Sequence, residues 1–243
     1  ALATSEFEGF DTVIWAAGNT SPGLLDEDRT NLMNFLQLGG KAIFSGQNLA
    51  YDVADPASPH FSSGGTTYLQ AILGVGYASN NSGGTGLDGV SGDIISQGKT
   101  FVLGGGNGHN MNTSPDGLTA VGNGSTSLTY SPGGETAAVK STYGLGRTYF
   151  MGFGLENIST TEGRADLMTS ILAWLDGATP AFDIVSPLLA GSLYSAPNPF
   201  NPQTSIIFEV GGVVPSPTEI VIFDVRGRIV RNLFRGELAP GSQ

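Results

Sequence analysis

Apolar residues first gather in a continuous run, Val13 to Ala17, that stops at Gly18-Asn19. A run this short, bounded by a turn signal, reads as a fully buried strand of a parallel sheet with a loop at its carboxyl end. Asp26, Glu27 and Asp28 then put negative charge where a helix start favours it, and Leu32, Phe35, Leu36 and Leu38 lead to Gly39-Gly40 as the stop. A second run, Lys41 to Ser45, closes at Gly46. Residues 11–48 are thus predicted to form a strand, helix, strand unit of the parallel kind, with the helix over 27–38.

Farther on the period shifts. Leu69, Ile72 and Leu73 suit two helical turns within 66–73, and from 74 to 140 short strand-like pieces such as Thr100-Phe101-Val102-Leu103 and Thr136-Ala137-Ala138-Val139 alternate with turn clusters. That alternation predicts added β-hairpins. Arg147 to Phe153 reads as another buried strand. Ser159 with Glu162 makes a capping box for a helix over 161–176, whose Leu167, Ile171, Leu172 and Leu175 recur at helical spacing before Gly177. Segments 11–17, 41–45 and 147–153 are expected side by side as parallel strands with both helices packed on them. The fold class is therefore α/β: a parallel-sheet, three-layer module with β-hairpin insertions over residues 1–177.

Five of the thirteen prolines fall between 178 and 203, at Pro180, Pro187, Pro197, Pro199 and Pro202. Proline breaks helices and stiffens connectors, so 178–196 reads as a linker. Beyond it Ser205–Val210, Glu219–Val225 and Ile229–Phe234 read as strands, with Arg226-Gly227-Arg228 as a turn. Charge follows the same division. Residues 1–182 hold sixteen acids and six bases, and 183–243 hold five acids and four bases.

The whole chain of 243 residues carries a net charge of −11 with 13% charged residues and 37 glycines. Such a field repels nucleic acid and anionic membrane surfaces. With no cysteine there is no thiolate nucleophile, disulfide or cysteine-held metal. No run approaches the ~18 apolar residues of a membrane-spanning helix. The opening ALATSEFEGFD lacks the regions of a signal peptide, and the chain reads as a piece cut from a longer product.

The tail APNPFNPQTSIIFEV, followed by IVIFDVRGRIVRNLFRGELAPGS, resembles the FlgD-like immunoglobulin-type domain and the related sorting domains of the type IX secretion pathway. Asn198-Pro199-Phe200-Asn201-Pro202 and Phe223-Asp224-Val225-x-Gly227-Arg228 carry the likeness. It implies a partial all-β, Ig-like sandwich over 197–243 that lacks its closing strand. The first module is similar to the class I glutamine-amidotransferase-like, flavodoxin-like fold over about residues 8–176. Gly9-Phe10-Asp11-Thr12-Val13-Ile14-Trp15 resembles the strand before the oxyanion loop, Ile43-Phe44-Ser45-Gly46-Gln47 the nucleophile strand, and Tyr149 to Glu156 the strand bearing the histidine. On that pattern Phe44 stands in place of the cysteine and Gly154 in place of the histidine, while Glu156 alone matches. An acyl-transfer triad needs nucleophile, base and orienting carboxylate, and two of the three are missing. The family's first strand and helix would lie before Ala1, leaving an open edge for another segment or a second copy to cover.

Candidate chemistry is sparse. Ser45 lies at a strand end, yet its motif is Phe-Ser-Gly and the two histidines, His60 and His109, fall in separate loops expected to be far from Ser45 and Glu156. Ser45, Glu156 and His109 are the catalytic candidates, against a default reading of a small residue before a tight turn. Gly104-Gly105-Gly106-Asn107-Gly108-His109 lacks the Gly-Lys-Ser/Thr ending of a phosphate loop and reads as a hairpin tip. Asp52, Asp55 and Asp116 could join the histidines on a metal, but no ligand spacing supports it. No cofactor is expected, and weak calcium binding within 74–120 stays open. The aromatic residues, Phe10 and Trp174 among them, are expected mostly in the core. The reading that follows from the resemblances is a non-catalytic accessory, spacer and sorting region of a secreted or cell-surface bacterial protein, such as an extracellular peptidase. Its partners would be another segment of the same parent, secretion machinery or the cell surface. A hydrolase completed by another segment, and a carbohydrate- or surface-binding module, are the alternatives.

Overall fold

The computed structural model describes residues 7, 9–18, 20–177, 194–196, 205–207, 209–210, 216–223, 229–239 and 241–242. The chain divides into two units, Ala1–Pro180 and Ala181–Gln243.

The first unit is built on one nine-stranded mixed sheet. Strands β1 (Thr12–Gly18), β2 (Lys41–Gly46) and β9 (Gly146–Met151) run parallel and adjacent. The other six are antiparallel to their neighbours: β3 (Val75–Ser79), β4 (Gly86–Gly89), β5 (Thr100–Val102), β6 (Gly117–Ala120), β7 (Ser125–Ser131) and β8 (Thr136–Tyr143). The main order is β1-β2-β9-β8-β7-β4-β5, with β6 joining β3 to β8. The expected parallel trio is present, but a wholly parallel sheet is not. Once β8 returns from β7 through a short turn it enters antiparallel, because a parallel return needs a crossover of a dozen residues or more. The predicted hairpins thus extend the sheet itself.

Alternation along the central strands separates two cores. Ala42, Phe44 and Phe150 point to one side, where Leu32 and Leu36 of helix α1 (Asp26–Gln37) meet them. Ile43, Tyr149 and Met151 point to the other, against Leu167, Ile171 and Leu175 of α4 (Thr161–Leu175). Period 2 in the strands matched to period 3.6 in the helices places one helix on each face, and each fully buried Leu or Ile contributes about 1.5–3 kcal/mol. Two further helices, α2 (Leu49–Ala54) and α3 (Ser63–Ala71), share the first core.

Caps set the boundaries. Thr160, rather than Ser159, caps α4 by accepting from Gly163 N at 3.0 Å, and Ser62 caps α3 by accepting from Gly65 N at 3.0 Å. Asp28 Oδ2 accepts from Leu25 N at 3.1 Å in the first turn of α1. The predicted capping box at Ser159 slips by one because Ser159 N–H instead donates to Val102 O, holding that residue to β5.

At the edge, β1 departs from the buried strand expected of it. Ile14 is 54% exposed: among the described residues β1 has β2 as its one neighbouring strand, and the residues that α4 packs against come from the strands farther in. Phe10, expected in the core, is 64% exposed.

The antiparallel side encloses a polar centre. Asp93, 6% exposed, accepts at Oδ1 from Ile95 N, Ser96 N, Ser96 Oγ and Ser127 Oγ, while Lys140 Nζ lies 2.5 Å from Oδ2. Burial alone would raise the Asp93 pKa, but the Lys140 ammonium and the serine hydroxyls overcome it and hold the carboxyl below its usual range.

In the second unit three antiparallel pairs are described: β10 (Tyr194–Ala196) with β11 (Ser205–Ile207), β12 (Glu209–Val210) with β15 (Gly241–Ser242), and β13 (Ser216–Phe223) with β14 (Ile229–Leu238). Of the segment 178–196 read as a linker, residues 178–193 lie outside the described residues, while Tyr194–Ala196 is a strand because it pairs with Ser205–Ile207. The Asn198 to Pro202 motif and the Asp224 to Arg228 turn also lie outside the described residues.

Candidate functional site

Open α/β sheets hold their ligands beyond the carboxyl ends of the strands, so the ends of β1, β2 and β9 are the place to look. There Gly18, Gln47, His109, Met111, Glu156 and Asn157 enclose a cavity of about 170 Å³. Glu156 comes from the short 3-10 turn Leu155–Asn157 that follows β9. The glycines make room for it. A Cβ on Gly154 would fall 2.1 Å from Glu156 Oε1, and one on Gly18 would lie 4.0 Å from the same atom.

His109 reaches the cavity by a route that local sequence reading misses. Gly104, Gly105 and Gly106 all have positive φ, and this left-handed run turns the loop after β5 against the loop after β9. Gly104 N donates to Asn157 O at 2.6 Å, Asn107 N to Ser159 O at 2.8 Å and His109 N to Glu156 O at 2.8 Å. The loop is therefore a strap rather than a hairpin tip. These amides are spent on carbonyls, so the loop cannot cradle a phosphate as a nest of free N–H groups would. The strap also overturns the expected distance between His109 and Glu156, which share one cavity. Among the described residues no hydrogen bond joins either imidazole to Ser45 or to the Glu156 carboxylate.

Ser45 does not line this cavity and is 3% exposed. Its Oγ accepts from Leu155 N at 2.8 Å, tying the end of β2 to the turn that carries Glu156. A nucleophile needs its hydroxyl aimed at a substrate with a base beside it. Ser45 has a backbone amide instead. Gln47 is equally engaged, donating through Nε2 to Met111 O at 2.7 Å and accepting at Oε1 from Ser114 N at 2.8 Å. Asn157, 3% exposed, leaves its Oδ1 without a partner among the described residues.

The carboxylates proposed as metal ligands hold loops together. Asp52 accepts from Ser21 Oγ at 2.8 Å and Gly23 N at 3.2 Å; Asp55 accepts from Tyr77 Oη at 2.6 Å and Ala57 N at 2.8 Å. The Tyr77 hydroxyl and the Ala57 amide hold the Asp55 carboxyl below its usual range. Asp116 is fully buried and takes Ala50 N at 2.7 Å and Tyr51 N at 3.3 Å onto Oδ2, while Oδ1 has no partner among the described residues. Burial pushes the Asp116 pKa up to about 8 against the pull of those amides, and neighbouring Asp52 adds to the rise. Among the described residues no group of three or more acidic or histidine side chains is placed to hold a metal. His60 lies apart, lining a cleft with Pro22, Leu25 and Glu27.

Sequence reading also passed over Asn48. It has φ 62°, ψ 5° between β2 and α2, a left-handed turn that aims the first amides of α2 at Asp116. The signal available was the Gly-Gln-Asn run after an apolar strand, Asn being the residue other than glycine best suited to that conformation.

No protein-family model matches the chain, and no curated protein matches it. Among solved structures, cytoplasmic protein STM3548 from Salmonella typhimurium superposes with a TM-score of 0.51 at 14% identity, covering 71% of this chain and 74% of its own. Cytoplasmic protein STM1381 from Salmonella typhimurium LT2 gives 0.51 at 13% identity, covering 72% and 76%. A β-galactosidase from Rahnella sp. R3 gives 0.45 at 16% identity, and the match spans 97% of this chain but 32% of that one. At such identities the two Salmonella structures speak to the fold alone. Among the described residues no helix is long and apolar enough to cross a membrane.

Proposed function

We infer that this chain is a non-catalytic accessory and spacer region of a secreted or cell-surface bacterial protein, with its amidotransferase-like module retaining a sheet but no working triad and its tail serving as a partial sorting module. The observation that carries the reading is Ser45, buried at 3% exposure with its hydroxyl committed to Leu155 N. Three further supports agree with it. Phe44 and Gly154 stand where the resemblance would need the thiol and the imidazole. The carboxylates Asp52, Asp55 and Asp116 are engaged in loop tethers. The tail retains the ordered Asn-Pro-Phe-Asn-Pro motif of the sorting resemblance. The test is an amidase and esterase assay on the purified chain, using glutamine and p-nitrophenyl esters. No turnover above background is expected; turnover abolished by Ser45→Ala overturns the non-catalytic reading. Fractionation of the source cells checks localisation, and recovery from the cytoplasm alone overturns the secreted assignment.

One observation favours a second reading, a hydrolase completed by another polypeptide segment. His109 and Glu156, a base and a carboxylate, share a cavity without a nucleophile of its own. Activity that appears only in the parent protein and disappears in His109→Ala and Glu156→Gln would select it.

A further inference from the structure

The amino ends of β1 and β2 carry a second concavity, at the end of the parallel strands opposite to Glu156. It holds about 350 Å³, within the range of small-molecule sites, and its walls are Phe7, Phe10, Phe35 and Leu38 with Asp11 and Asn34 among them. Local sequence shapes it. Phe10 N donates to Phe7 O at 3.2 Å, a turn just ahead of β1, and Lys41 N donates to Asp11 O at 2.9 Å, which fixes that turn to the start of β2. Gly40 leaves room for the Phe35 ring, since a Cβ there would fall 2.4 Å from it. That ring lies 5.4 Å from the ring of Phe7, tilted by 37°.

Unlike the inner faces of the sheet, this surface is open. Phe10 is 64% and Leu38 83% exposed, two large apolar side chains left in water on one cavity, where scattered single ones would need no explanation. Asp11 is exposed as well, and among the described residues its carboxylate has neither a hydrogen bond nor an ion pair. The basic residue closest to the cavity in sequence, Lys41, has its Nζ on Asp176 Oδ1 at 2.6 Å. An unpaired anion beside aromatic rings suits a cation, which the carboxylate attracts by its charge and the ring faces by their quadrupole. Residues 1–182 hold sixteen acids and six bases, so the wider field also draws cations and repels anions.

We propose that this cavity binds a small organic ammonium, its apolar body against Phe10, Phe35 and Leu38 and its charged head at Asp11. A carboxylate ligand would meet Asp11 with like charge, and a neutral one would forgo the attraction of both the carboxylate and the rings. Nothing in this assignment depends on Ser45, His109 or Glu156, so it stands apart from the function proposed above.

The probe is 2-phenylethylammonium, with 2-phenylethanol as the uncharged control and 3-phenylpropanoate as the anionic one, each titrated by calorimetry and amide chemical shifts into the full 243-residue chain. The ammonium is expected to bind in the millimolar range with shifts centred on residues 9–11 and 34–40. The alcohol should bind about fivefold more weakly, the usual worth of an exposed ion pair with a cation–π contact, and the anion more weakly still. Asp11→Asn should abolish the preference for the ammonium over the alcohol and leave the affinity for the alcohol unchanged. Phe10→Ala should weaken both. The two side chains are exposed, so both variants are expected to unfold at the wild-type midpoint. Absence of ammonium binding at millimolar concentration, equal binding of the three probes, shifts centred elsewhere, a preference for the ammonium that survives Asp11→Asn, or wild-type affinities in Phe10→Ala would each overturn the proposal.

Discussion

Two buried aspartates divide the first unit into regions that solve the same problem differently. Asp93, among the antiparallel strands, is surrounded by two serine hydroxyls, two backbone amides and the Lys140 ammonium, and it stays ionised. Asp116, at the ends of the parallel strands, is more deeply buried and has amides on one oxygen only, and its pKa rises to about 8. The lesson is that burial by itself does not decide the charge of a carboxylate. A fixed cation and full hydrogen bonding of both oxygens do, since the desolvation cost is offset only where the charge itself is met. One region is held by a side-chain network; the other depends on the backbone geometry of a single turn.

The sharpest way to break this comparison is to remove the cation. Lys140→Met leaves Asp93 buried and unpaired and is expected to lower the unfolding free energy by about 3–5 kcal/mol, the usual cost of orphaning one partner of a buried pair. Urea denaturation measures it, and a loss under about 1 kcal/mol would mean that the serines and amides suffice alone.

The pH dependence separates the two acids by sign. Asp116 has a folded pKa of about 8, above the ~3.9 of an unfolded aspartate, so the folded state holds the extra proton between those values. Its contribution is full below about pH 4 and is lost as pH rises towards 8. Asp93 does the reverse: its contribution is present above the unfolded pKa and is lost as pH falls through the depressed folded value. Urea titrations at pH 5 and pH 8 should show wild type losing stability across that interval and Asp116→Asn losing much less of it. Equal slopes would place Asp116 as an ionised acid, like Asp93.

A smaller effect is expected at Ser45. Ser45→Ala leaves Leu155 N–H without its acceptor in a partly buried place, for a cost of about 1–3 kcal/mol by thermal or urea unfolding. No change at all would mean that water takes over the amide. The smallest is at Asn48, where φ is 62°. Asn48→Ala should cost about 1–2 kcal/mol and Asn48→Gly close to nothing, because the penalty is that of a Cβ in the left-handed region. Equal losses from both would show that the Asn48 side chain, rather than its backbone, supports the turn over Asp116.

What the sequence by itself determined was local and periodic. The run Lys41 to Ser45, the helical spacing of Leu167, Ile171 and Leu175, and the acids opening α1 identify their elements because each signal lies within one turn or one strand of its consequence. They also sufficed to place three strands in parallel, since a strand, helix, strand order leaves little topological choice. The tertiary structure decided the rest. Ile14 reads as buried until the sheet order puts β1 on the edge. Asp93 carries no motif, and meets Ser127 and Lys140 through the pairing of β4 with β7 and of β7 with β8. Glu156 and His109 stand 47 positions apart in the sequence, and their meeting depends on a glycine strap docking the loop after β5 against the loop after β9. Asp116, read from sequence as a metal candidate, became the buried tether of a short helix for the same reason. Burial, charge state and convergence are properties of what surrounds a residue, and those surroundings come from segments whose mutual placement no local pattern encodes.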